Sequence, residues 1–453
     1  YSYWGAKMKS AVIGSGISGL SAAWLLSKGH DVTLFEGEAR AGGHSHTVDT
    51  VGTSASVPVD TGFIVYNTAS YPNLIALFEH LAVPTTAAEM SFAVSLDNGG
   101  YEYAGGGLST LFGQPSNLLR LSHWRMAADI LRFFREAREI AERNTDENLT
   151  LGEYLIAQGY SDAFVSRHIL PMAAAIWSTP SRGVLDFPLA AFVRFFSNHG
   201  LLQFRDRPEW RTVVGGSREY VQRLLADFQG EQSFGNPVLR VTRRPTGATI
   251  SNAQGDRQFD ACVIAAHADD ALALLSDPTE DEARNLSAFS YVKNRAVLHT
   301  DSGLMPQRRR LWSSWNYIGH GAGIDATLAV TYWMNRLQPL GEETPNHFVT
   351  LNPAREPSPD KLITAFDYAH PMFDSAAMRA QRQLWRLQGE RRTWFCGSYF
   401  GYGFHEDGIQ SGLAAAEDIG GVRRPWTVAN ESGRIHLRPR EFAQGRPLRE
   451  AAE

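Results

Sequence analysis

The sequence predicts an α/β fold in two domains, one Rossmann-like and the other α+β. The first indication is at the N-terminus, where an apolar strand at 10–13 leads into the glycine-rich turn 14–19, a helix and a second strand at 31–35. Two strands joined through a helix form a parallel pair. The second indication is a change of pattern along the chain, because helical periodicity dominates from 116 to 203 and aromatic-rich strand patterns dominate from 291 to 370.

The composition excludes several classes of protein. The 453 residues include 43 Lys and Arg against 48 Asp and Glu, a net charge of -5 that gives no electrostatic case for nucleic-acid binding. The two cysteines, Cys262 and Cys396, are too few for a disulfide scaffold or a cysteine-based metal site and fit a reducing compartment. No apolar run approaches the roughly 18 residues of a membrane span. Residues 1–7 lack the apolar core of a secretory signal, so we expect a cytoplasmic protein.

The glycine spacing of the first turn is typical of a dinucleotide site. Gly14 permits the tight turn, Gly16 lets the backbone approach a pyrophosphate, and Gly19 lets the helix pack closely on the strand. The first N–H groups of the helix then face the phosphates. Glu36 ends the second strand, where a carboxylate accepts hydrogen bonds from ribose hydroxyls. The alternative is a glycine-rich turn that holds no ligand.

Four segments beyond this turn extend the pattern over nearly the whole chain. They are the glycine pair Gly42-Gly43, the stretch Val214–Ser217 before a helix, the strand-like run Asp260–His267, and Cys396–Ser398 followed by Gly408–Gly412. With these motifs in this order the sequence resembles the flavin amine oxidoreductase superfamily, which includes amine oxidases, protoporphyrinogen oxidase and phytoene desaturases. The resemblance implies that the dinucleotide is FAD.

The resemblance also implies which residues contact the cofactor. In the family the last helix points its N-terminus at the flavin pyrimidine edge, Val241 or Val238 corresponds to a position near the adenine, and Phe404 to one near the isoalloxazine ring. Cys396 does not match the family's covalent-flavin motif, so we expect non-covalent FAD. The family's usual residue after the glycine pair is Arg, whereas this chain has His44. The residues expected at FAD are Gly14, Gly16, Ile17, Ser18, Gly19, Glu36, Gly42, Gly43, His44, Val241, Gly397, Phe404, Gly408 and Ile409.

A bacterial branch of the superfamily is the nearer resemblance, on the segments Val59–Phe63, Leu298–Asp301, Trp312–Tyr317, Thr331–Asn335 and Gly403–Gly408. Members of that branch are associated with enzymes that modify fatty acyl chains, including methyltransferases. The resemblance implies hydride abstraction from a lipophilic substrate, with desaturation of a methyl-branched, phospholipid-linked acyl chain on the route to furan fatty acids as the first hypothesis. The alternatives are a redox-neutral double-bond isomerase, an amine oxidase, and a non-catalytic flavin- and lipid-binding partner of a methyltransferase.

Candidate catalytic and substrate residues follow from the same segments. A general base is needed if a proton leaves with the hydride, and the candidates are His299, His405 and Glu406. His299 with Asp301 is alternatively a satisfied polar pair, and residues 405–407 are alternatively the acidic start of a helix. The aromatic residues predicted to line an apolar pocket, rather than to fill a core, are Trp177, Trp315, Tyr317 and Tyr332. We predict no metal site.

The predicted domains are discontinuous. The FAD-binding domain is assigned to 8–85, 206–290 and 390–425, the substrate domain to 86–205 (mainly helical) and 291–389 (mainly β), and the C-terminal tail to 426–453. The stretch 116–143 predicts a basic amphipathic helix, which either lies on the inner face of an anionic membrane or caps the substrate domain.

Overall fold

The computed structural model describes residues 7–51, 56–142, 149–177, 181–202, 207–320 and 327–439. Its strands are β1 (Lys9–Ile13), β2 (Asp31–Phe35), β3 (Thr47–Val51), β4 (Ser56–Asp60), β5 (Tyr66–Asn67), β6 (Thr85–Ala87), β7 (Phe92–Leu96), β8 (Tyr101–Ala104), β9 (Trp210–Val213), β10 (Glu231–Ser233), β11 (Val238–Arg244), β12 (Gly247–Asn252), β13 (Gly255–Phe259), β14 (Ala261–Ile264), β15 (Tyr291–His299), β16 (Trp315–His320), β17 (Thr327–Trp333), β18 (Phe348–Leu351), β19 (Leu362–Pro371) and β20 (Thr393–Phe395). Its helices are α1 (Ile17–Leu26), α2 (Pro72–His80), α3 (Leu108–Leu111), α4 (Leu121–Glu142), α5 (Leu151–Ala157), α6 (Asp162–Phe164), α7 (Leu170–Trp177), α8 (Ser181–Leu185), α9 (Leu189–Asn198), α10 (Arg218–Asp227), α11 (Ala268–Leu274), α12 (Glu280–Leu286), α13 (Met334–Leu337), α14 (Ser375–Gln381) and α15 (His405–Ile419).

A parallel sheet forms the centre of the first domain. Its order is β10-β2-β1-β14-β20, so separated stretches of the chain supply neighbouring strands. Val12 lies between Leu34 on one side and Val263 on the other, and all three side chains are buried. Because helices cover such a sheet, its strands are apolar on both faces. Helix α1 is buried along its whole length, since α10 and α15 pack against it.

A larger sheet forms the second domain, in the order β19-β15-β18-β17-β16-β7-β8. Its pairs are antiparallel except β16 with β7, which run parallel. Helix α4 packs against α9 beside this sheet, and the two share buried aromatic residues such as Phe133 and Phe192. The α/β fold class predicted from the sequence is confirmed.

Helix lengths differ in places from the sequence patterns. The helical pattern over 372–388 contains only α14, because Asp374 caps the N-terminus by accepting a hydrogen bond from Ala377 N–H and the chain continues as a short 3-10 turn at Leu384–Leu387. The long amphipathic stretch begins as a 3-10 turn at Pro115–Leu119, and α4 starts at Leu121. Among the described helices, none has the length and apolar character that crossing a bilayer requires.

Candidate active site

A single cavity of about 1500 Å³ runs from the end of the parallel sheet into the second domain. This volume exceeds the roughly 300–1,000 Å³ of a pocket for one small molecule. The glycine turn after β1 and the N-terminus of α15 line one part, while α4, β16, β17 and the segment 103–112 line another. The cavity therefore has room for a dinucleotide and a separate substrate.

The glycine turn is built to bring backbone close to a ligand. Gly14 has φ +102°, in the region that favours glycine. A Cβ on Gly19 would lie 1.9 Å from Gly14 O, so this glycine permits the close packing of α1 on β1. A Cβ on Gly16 would have no atom within 4 Å and would instead project into open space at the cavity wall. Ile17 and Ser18 continue the wall at the N-terminus of α1.

Glu36 lies at the carboxyl end of β2 and lines the same cavity. Its Oε2 accepts hydrogen bonds from Ser15 N–H at 2.9 Å and from Ser15 Oγ at 2.5 Å, and its Oε1 accepts one from Glu38 N–H at 3.0 Å. These bonds fix the carboxylate beside the glycine turn. This is the position from which a carboxylate reaches the ribose of a bound dinucleotide.

The glycine pair Gly42-Gly43 brings the backbone back against the glycine turn 14–19. Gly42 N–H donates to Ser15 O at 2.9 Å, and a Cβ on Gly43 would lie 3.1 Å from Gly16 Cα. Both glycines have positive φ, +114° and +55°. Arg40 donates from Nη1 to Gly43 O at 2.8 Å and lines the cavity. A guanidinium thus lies beside the glycine pair although the next residue is not Arg.

His44 belongs to an aromatic cluster in the cavity wall rather than to a charged contact. Its ring lies 5.0 Å from that of Tyr368, 5.4 Å from His370 and 6.3 Å from His267, and all four residues line the cavity. Burial, followed by repulsion from His370 and His267, lowers the pKa of His44 well below its ordinary value. His44 is therefore neutral at pH 7.

Tyr368 connects this cluster to a less buried histidine. Its hydroxyl lies 3.2 Å from His46 Nδ1 and 2.7 Å from Thr61 Oγ1. His46 is partly exposed, and burial together with the nearby Arg40 lowers its pKa to about 4. The hydroxyl, the imidazole and the solvent form a short path along which a proton can leave the cavity.

The first and last helices converge on the cavity because small residues let them cross closely. A Cβ on Gly412 would lie 2.1 Å from Ser18 O, and one on Gly408 would lie 2.8 Å from Ile17 Cγ2. Helix α15 therefore starts beside α1, where Phe404, its N-cap residue, lines the cavity together with Gly397. Two helix N-termini with partial positive charge meet at one place, which favours negative charge on a ligand there.

His405 lines the cavity at the start of α15. Its ring stacks on Phe63 at 3.7 Å, and its Nε2 lies 2.9 Å from Ser45 Oγ and 3.1 Å from Tyr220 OH. Burial lowers its pKa to about 3. A neutral imidazole held by two hydroxyls is a fixed polar group of the wall and a weak proton acceptor.

The part of the cavity within the second domain is apolar. Trp315 and Tyr332, both predicted for the substrate pocket, lie there with ring centroids 5.2 Å apart. Aliphatic and aromatic side chains surround them, among them Phe92, Leu108, Leu111, Phe112, Trp124, Ile130, Leu131, Phe134, Met172 and Leu351. Among the described lining residues, the carboxylates are Glu36, Glu38, Asp270 and Asp367, of which only Asp367, on β19, belongs to the larger sheet.

The residues present fit FAD. The open space at Gly16 admits a phosphate, and Tyr399 OH is buried at the cavity without a hydrogen-bond partner among the described residues. Buried polar atoms rarely stay unpaired, so a ligand with acceptor and donor atoms suits this wall.

Several predicted site residues lie elsewhere. Gly19, Gly408 and Ile409 do not line the cavity, and the two glycines act instead where the elements that shape it pack together. Val241 is wholly buried in β11 and does not reach the cavity, because it packs into the core beside Leu275. Tyr317 is buried and also lies off the cavity. The side chain of Trp177 lies outside the described residues.

Two of the three predicted catalytic side chains are also away from the cavity. His299 Nδ1 accepts a hydrogen bond from Asp301 N–H at 3.1 Å, and its Nε2 lies 2.7 Å from Thr350 Oγ1, so both ring nitrogens are engaged inside the second sheet. Asp301 pairs with Arg355 at 3.2 Å. The pair at 299 and 301 is thus the satisfied polar pair of the alternative interpretation.

Glu406 holds two elements together instead of facing substrate. Its Oε1 accepts hydrogen bonds from Asn73 Nδ2 at 2.8 Å and Gln410 Nε2 at 2.9 Å, and its Oε2 accepts one from Leu74 N–H at 3.1 Å. The side chain is fully buried between the N-termini of α2 and α15, away from the cavity. Its placement near a flavin was a misinterpretation of a helix-capping carboxylate.

Sequence reasoning missed four cavity residues: Arg40, His267, Tyr368 and His370. His370 and Tyr368 stand at the end of β19, with His370 Nδ1 2.9 Å from Asn294 Nδ2. The alternation of Phe366, Tyr368 and His370 on one face of a strand was the available signal.

Comparison with known proteins identifies the family. The sequence profile described as "Flavin containing amine oxidoreductase" matches residues 17–420, from the start of α1 to the end of α15. The chain belongs to this family. Its cofactor is FAD, and the protein is an FAD-dependent oxidoreductase of the amine oxidase type.

Three similar proteins share at most 24% of their residues with this chain. AofH of Mycobacterium tuberculosis, assigned as a flavin-containing monoamine oxidase, is 24% identical over 332 residues, which cover 71% of this chain and 69% of AofH. Putrescine oxidase bound to putrescine superposes with a TM-score of 0.65 at 15% identity, covering 91% and 99% of the two chains. The CLA-producing fatty acid isomerase of P. acnes superposes with a TM-score of 0.62 at 16% identity, covering 90% and 97%. These superpositions show a shared fold.

Proposed function

We propose that this flavoenzyme desaturates a methyl-branched fatty acyl chain carried on a phospholipid, in furan fatty acid biosynthesis. The observation that carries the proposal is the apolar part of the cavity, which continues from the cofactor end to the surface at Leu108 and Leu131. The named activity of the P. acnes neighbour shows that a protein of this fold acts on fatty acids. Bound FAD would supply the two-electron acceptor for a C–H bond.

The lining favours a lipid over an amine. An ammonium group loses its hydration on entering a cavity and needs a carboxylate or an equivalent partner in return. The carboxylates among the described lining residues are Glu36 and Glu38 at the cofactor end, Asp270 on α11 and Asp367 on β19, and the rest of the lining is mostly aromatic and aliphatic, with Arg207, His168 and His199 among its polar members. An alkyl chain gains from burial against the same surface.

The chain's own residues provide for the proton that leaves with the hydride. Tyr368 OH faces the cavity and lies 3.2 Å from His46 Nδ1, which has access to solvent. In this proposal the hydroxyl passes the proton from the neighbouring carbon to His46, which releases a proton to the solvent in return because its pKa is about 4, and His405 keeps its neutral form as part of the wall. FAD is held non-covalently, since both Cys262 and Cys396 are wholly buried and neither lines the cavity.

The test is anaerobic mixing of the purified holoenzyme with phospholipid that carries the methyl-branched chain, dispersed in detergent. We expect the flavin absorbance to bleach and the product to weigh two hydrogens less than the substrate. A product of unchanged mass would establish the isomerase alternative. Peroxide released with putrescine, and no bleaching by any lipid, would replace the proposal with an amine oxidase.

Matched variants locate the chemistry. Tyr368→Phe removes the hydroxyl at the cavity, and we expect bleaching to slow at least tenfold with the flavin content unchanged. Tyr317→Phe makes the same chemical change off the cavity and is expected to bleach at the wild-type rate. Equal rates in both variants would remove Tyr368 from the proton path and leave the lipid substrate to be judged by the product mass.

A further inference from the structure

Exposed apolar side chains concentrate where the cavity reaches the surface. Leu108, Leu119 and Leu121 are 76%, 89% and 86% exposed, and their neighbours Leu118, Trp124 and Leu131 are also exposed. Trp124 Nε1 donates to Leu118 O at 3.0 Å, which joins the turn before α4 to the helix. We call this set the mouth rim: Leu108, Leu118, Leu119, Leu121, Trp124 and Leu131. A contiguous apolar patch of this kind on a protein surface marks an interaction site.

The first half of α4 is apolar on both faces. One face packs into the core through Met126, Ile130 and Phe133. The opposite, exposed face carries Leu121, Trp124, Ala128 and Leu131 at intervals of three and four residues. A helix that covers a core normally turns charged and polar residues to water, so the exposed face of α4 is suited to an apolar surrounding.

The charge around the mouth rim is positive. Between 105 and 135 the sequence has the arginines Arg120, Arg125, Arg132 and Arg135 and a single carboxylate, Asp129. Glu136 and Glu139 follow, and Glu136 pairs with Arg132 at 2.8 Å, so the positive charge at the rim itself comes from Arg120 and Arg125. Asp129 is buried and accepts hydrogen bonds from Ser161 N–H and Oγ, so it does not face the surface. Arg310 of the second domain donates to Gly113 O and adds a guanidinium beside the same segment. Arg125 and Arg135 are exposed on α4.

We propose that the mouth rim docks on an anionic phospholipid bilayer and that the acyl substrate enters the cavity directly from it. This inference rests on the proposed function and names the partner of the same site. Leu108, Trp124 and Leu131 belong both to the rim and to the cavity lining, so an acyl chain stays in apolar surroundings along its whole path. The arginines contact the phosphate layer, and Trp124 sits at the headgroup level that tryptophan prefers.

A bilayer fits the position, the shape and the charge of the mouth rim better than a protein partner does. A second copy of the chain or another protein on the mouth rim would cover the opening through which the substrate must pass. The rim is short, a few turns of chain with leucines at its most exposed points, which is the form of an interfacial anchor. Its arginines match the headgroup charge of an anionic leaflet.

The test measures binding to vesicles in the absence of turnover. Holoenzyme is mixed with vesicles of saturated phosphatidylcholine alone or with a third of phosphatidylglycerol, and bound protein is measured by sedimentation. We compare wild type with Leu119→Ser/Leu121→Ser, whose side chains are too exposed to affect folding. Leu239→Ser is the matched control, since Leu239 is 65% exposed on β11 of the first domain.

We expect wild type and Leu239→Ser to bind the anionic vesicles alike, the double variant to bind at least tenfold more weakly, and Arg125→Gln to bind about fivefold more weakly. Equal binding by the double variant, or no binding by wild type, would overturn the docking proposal. A wild-type dimer that the double variant converts to monomer would assign the rim to a second copy. Saturated lipid is not a substrate, so these outcomes are independent of bleaching by detergent-dispersed substrate.

Discussion

The role of a single residue in this protein depends on the space that its neighbours leave around it. The three glycines of the first turn were all predicted at the cofactor, yet they differ in surroundings. A Cβ at position 19 meets Gly14 O at 1.9 Å, while a Cβ at position 16 meets nothing within 4 Å. The sequence motif identifies both positions, because local spacing dictates the turn. In the structure, position 19 serves packing and position 16 faces the cavity, which is the division of roles that the motif predicts.

Gly16→Ala and Gly19→Ala should therefore fail in different ways. The methyl group at 16 enters the space for the pyrophosphate, so we expect FAD affinity to fall at least tenfold while the flavin-free protein unfolds like wild type. The methyl group at 19 forces α1 from β1 and should lower the free energy of unfolding by about 1–3 kcal/mol or more. Flavin absorbance per protein and urea unfolding of the flavin-free proteins measure the two effects. Equal flavin content in Gly16→Ala and wild type would contradict the assigned role.

The same contrast explains which residue predictions were wrong. His299 and Glu406 are titratable residues inside motifs, and the motif alone suggests chemistry. Their partners, Thr350 and Asn73, come from other elements that are 51 and 333 residues away in sequence. No spacing rule connects residues so far apart, so their structural roles could not be derived from the chain. Tyr368 and His370 share one face of a strand, which the sequence pattern indicates, but only the packed structure places β19 at the cavity.

At the scale of elements, the sequence predicts individual helices and strands better than the junctions between them, that is, the contacts by which distant elements cross or pair. The strand–turn–helix start of the chain is confirmed, because the glycine spacing and the periodicity that predict it are local. The crossing of α1 with α15 was not predicted, although Gly408 and Gly412 are what permits it. Likewise, the parallel pairing of β16 with β7 depends on contacts between distant stretches. These junctions decide where the cavity lies.

Glu406 joins the N-termini of α2 and α15, and its contribution to the free energy of unfolding can be measured. Its carboxylate lies in the first turn of α15 and accepts hydrogen bonds from N–H groups at the N-terminus of α2. Its charge therefore faces the positive ends of two helix dipoles. We expect Glu406→Ala to lower the free energy of unfolding by about 1–3 kcal/mol, the effect of leaving buried donors unpaired. Turnover per folded, flavin-loaded molecule should stay within a factor of about three of wild type. Loss of turnover with unchanged urea unfolding would make Glu406 catalytic after all.

The whole molecule combines an assembled cofactor domain with a second domain that supplies the substrate surface. The parallel sheet draws its strands from residues 9–35, 231–264 and 393–395, and its two convergent helices face a cavity whose other walls belong to the larger sheet and α4. Family resemblance, rather than periodicity, gave the sequence-based expectation of a discontinuous domain. A chain that returns three times to one sheet has no local signature. The packing of the two domains buries several histidines, among them His168, His199 and His299.

Acid should therefore unfold this protein at a mild pH. Burial lowers the pKa of His168, His199 and His405 to about 3 and that of His299 and His370 to about 4. In the unfolded chain these groups take up protons near pH 6.5, and in the folded protein only near pH 3–4. The unfolded state thus binds more protons over this window, so stability is present above pH 6.5 and is lost as the pH falls.

Each fully buried histidine contributes at most about 1.4 kcal/mol per pH unit, and the three that are buried outright, His168, His199 and His299, together about 4 kcal/mol per pH unit, against a total stability of about 5–15 kcal/mol. Asp60 acts in the opposite direction, because burial raises its pKa to about 6 and the folded state then holds a proton that the unfolded state releases.

We expect urea midpoints of the holoenzyme to fall steeply between pH 6.5 and 5. His199→Phe, which removes one such group while Phe195 O keeps its backbone hydrogen bond from residue 199, should flatten that slope by about 1.4 kcal/mol per pH unit. Midpoints that stay constant down to pH 5 would show that the histidines are protonated in the folded protein and that the cavity wall is wetter than its geometry indicates.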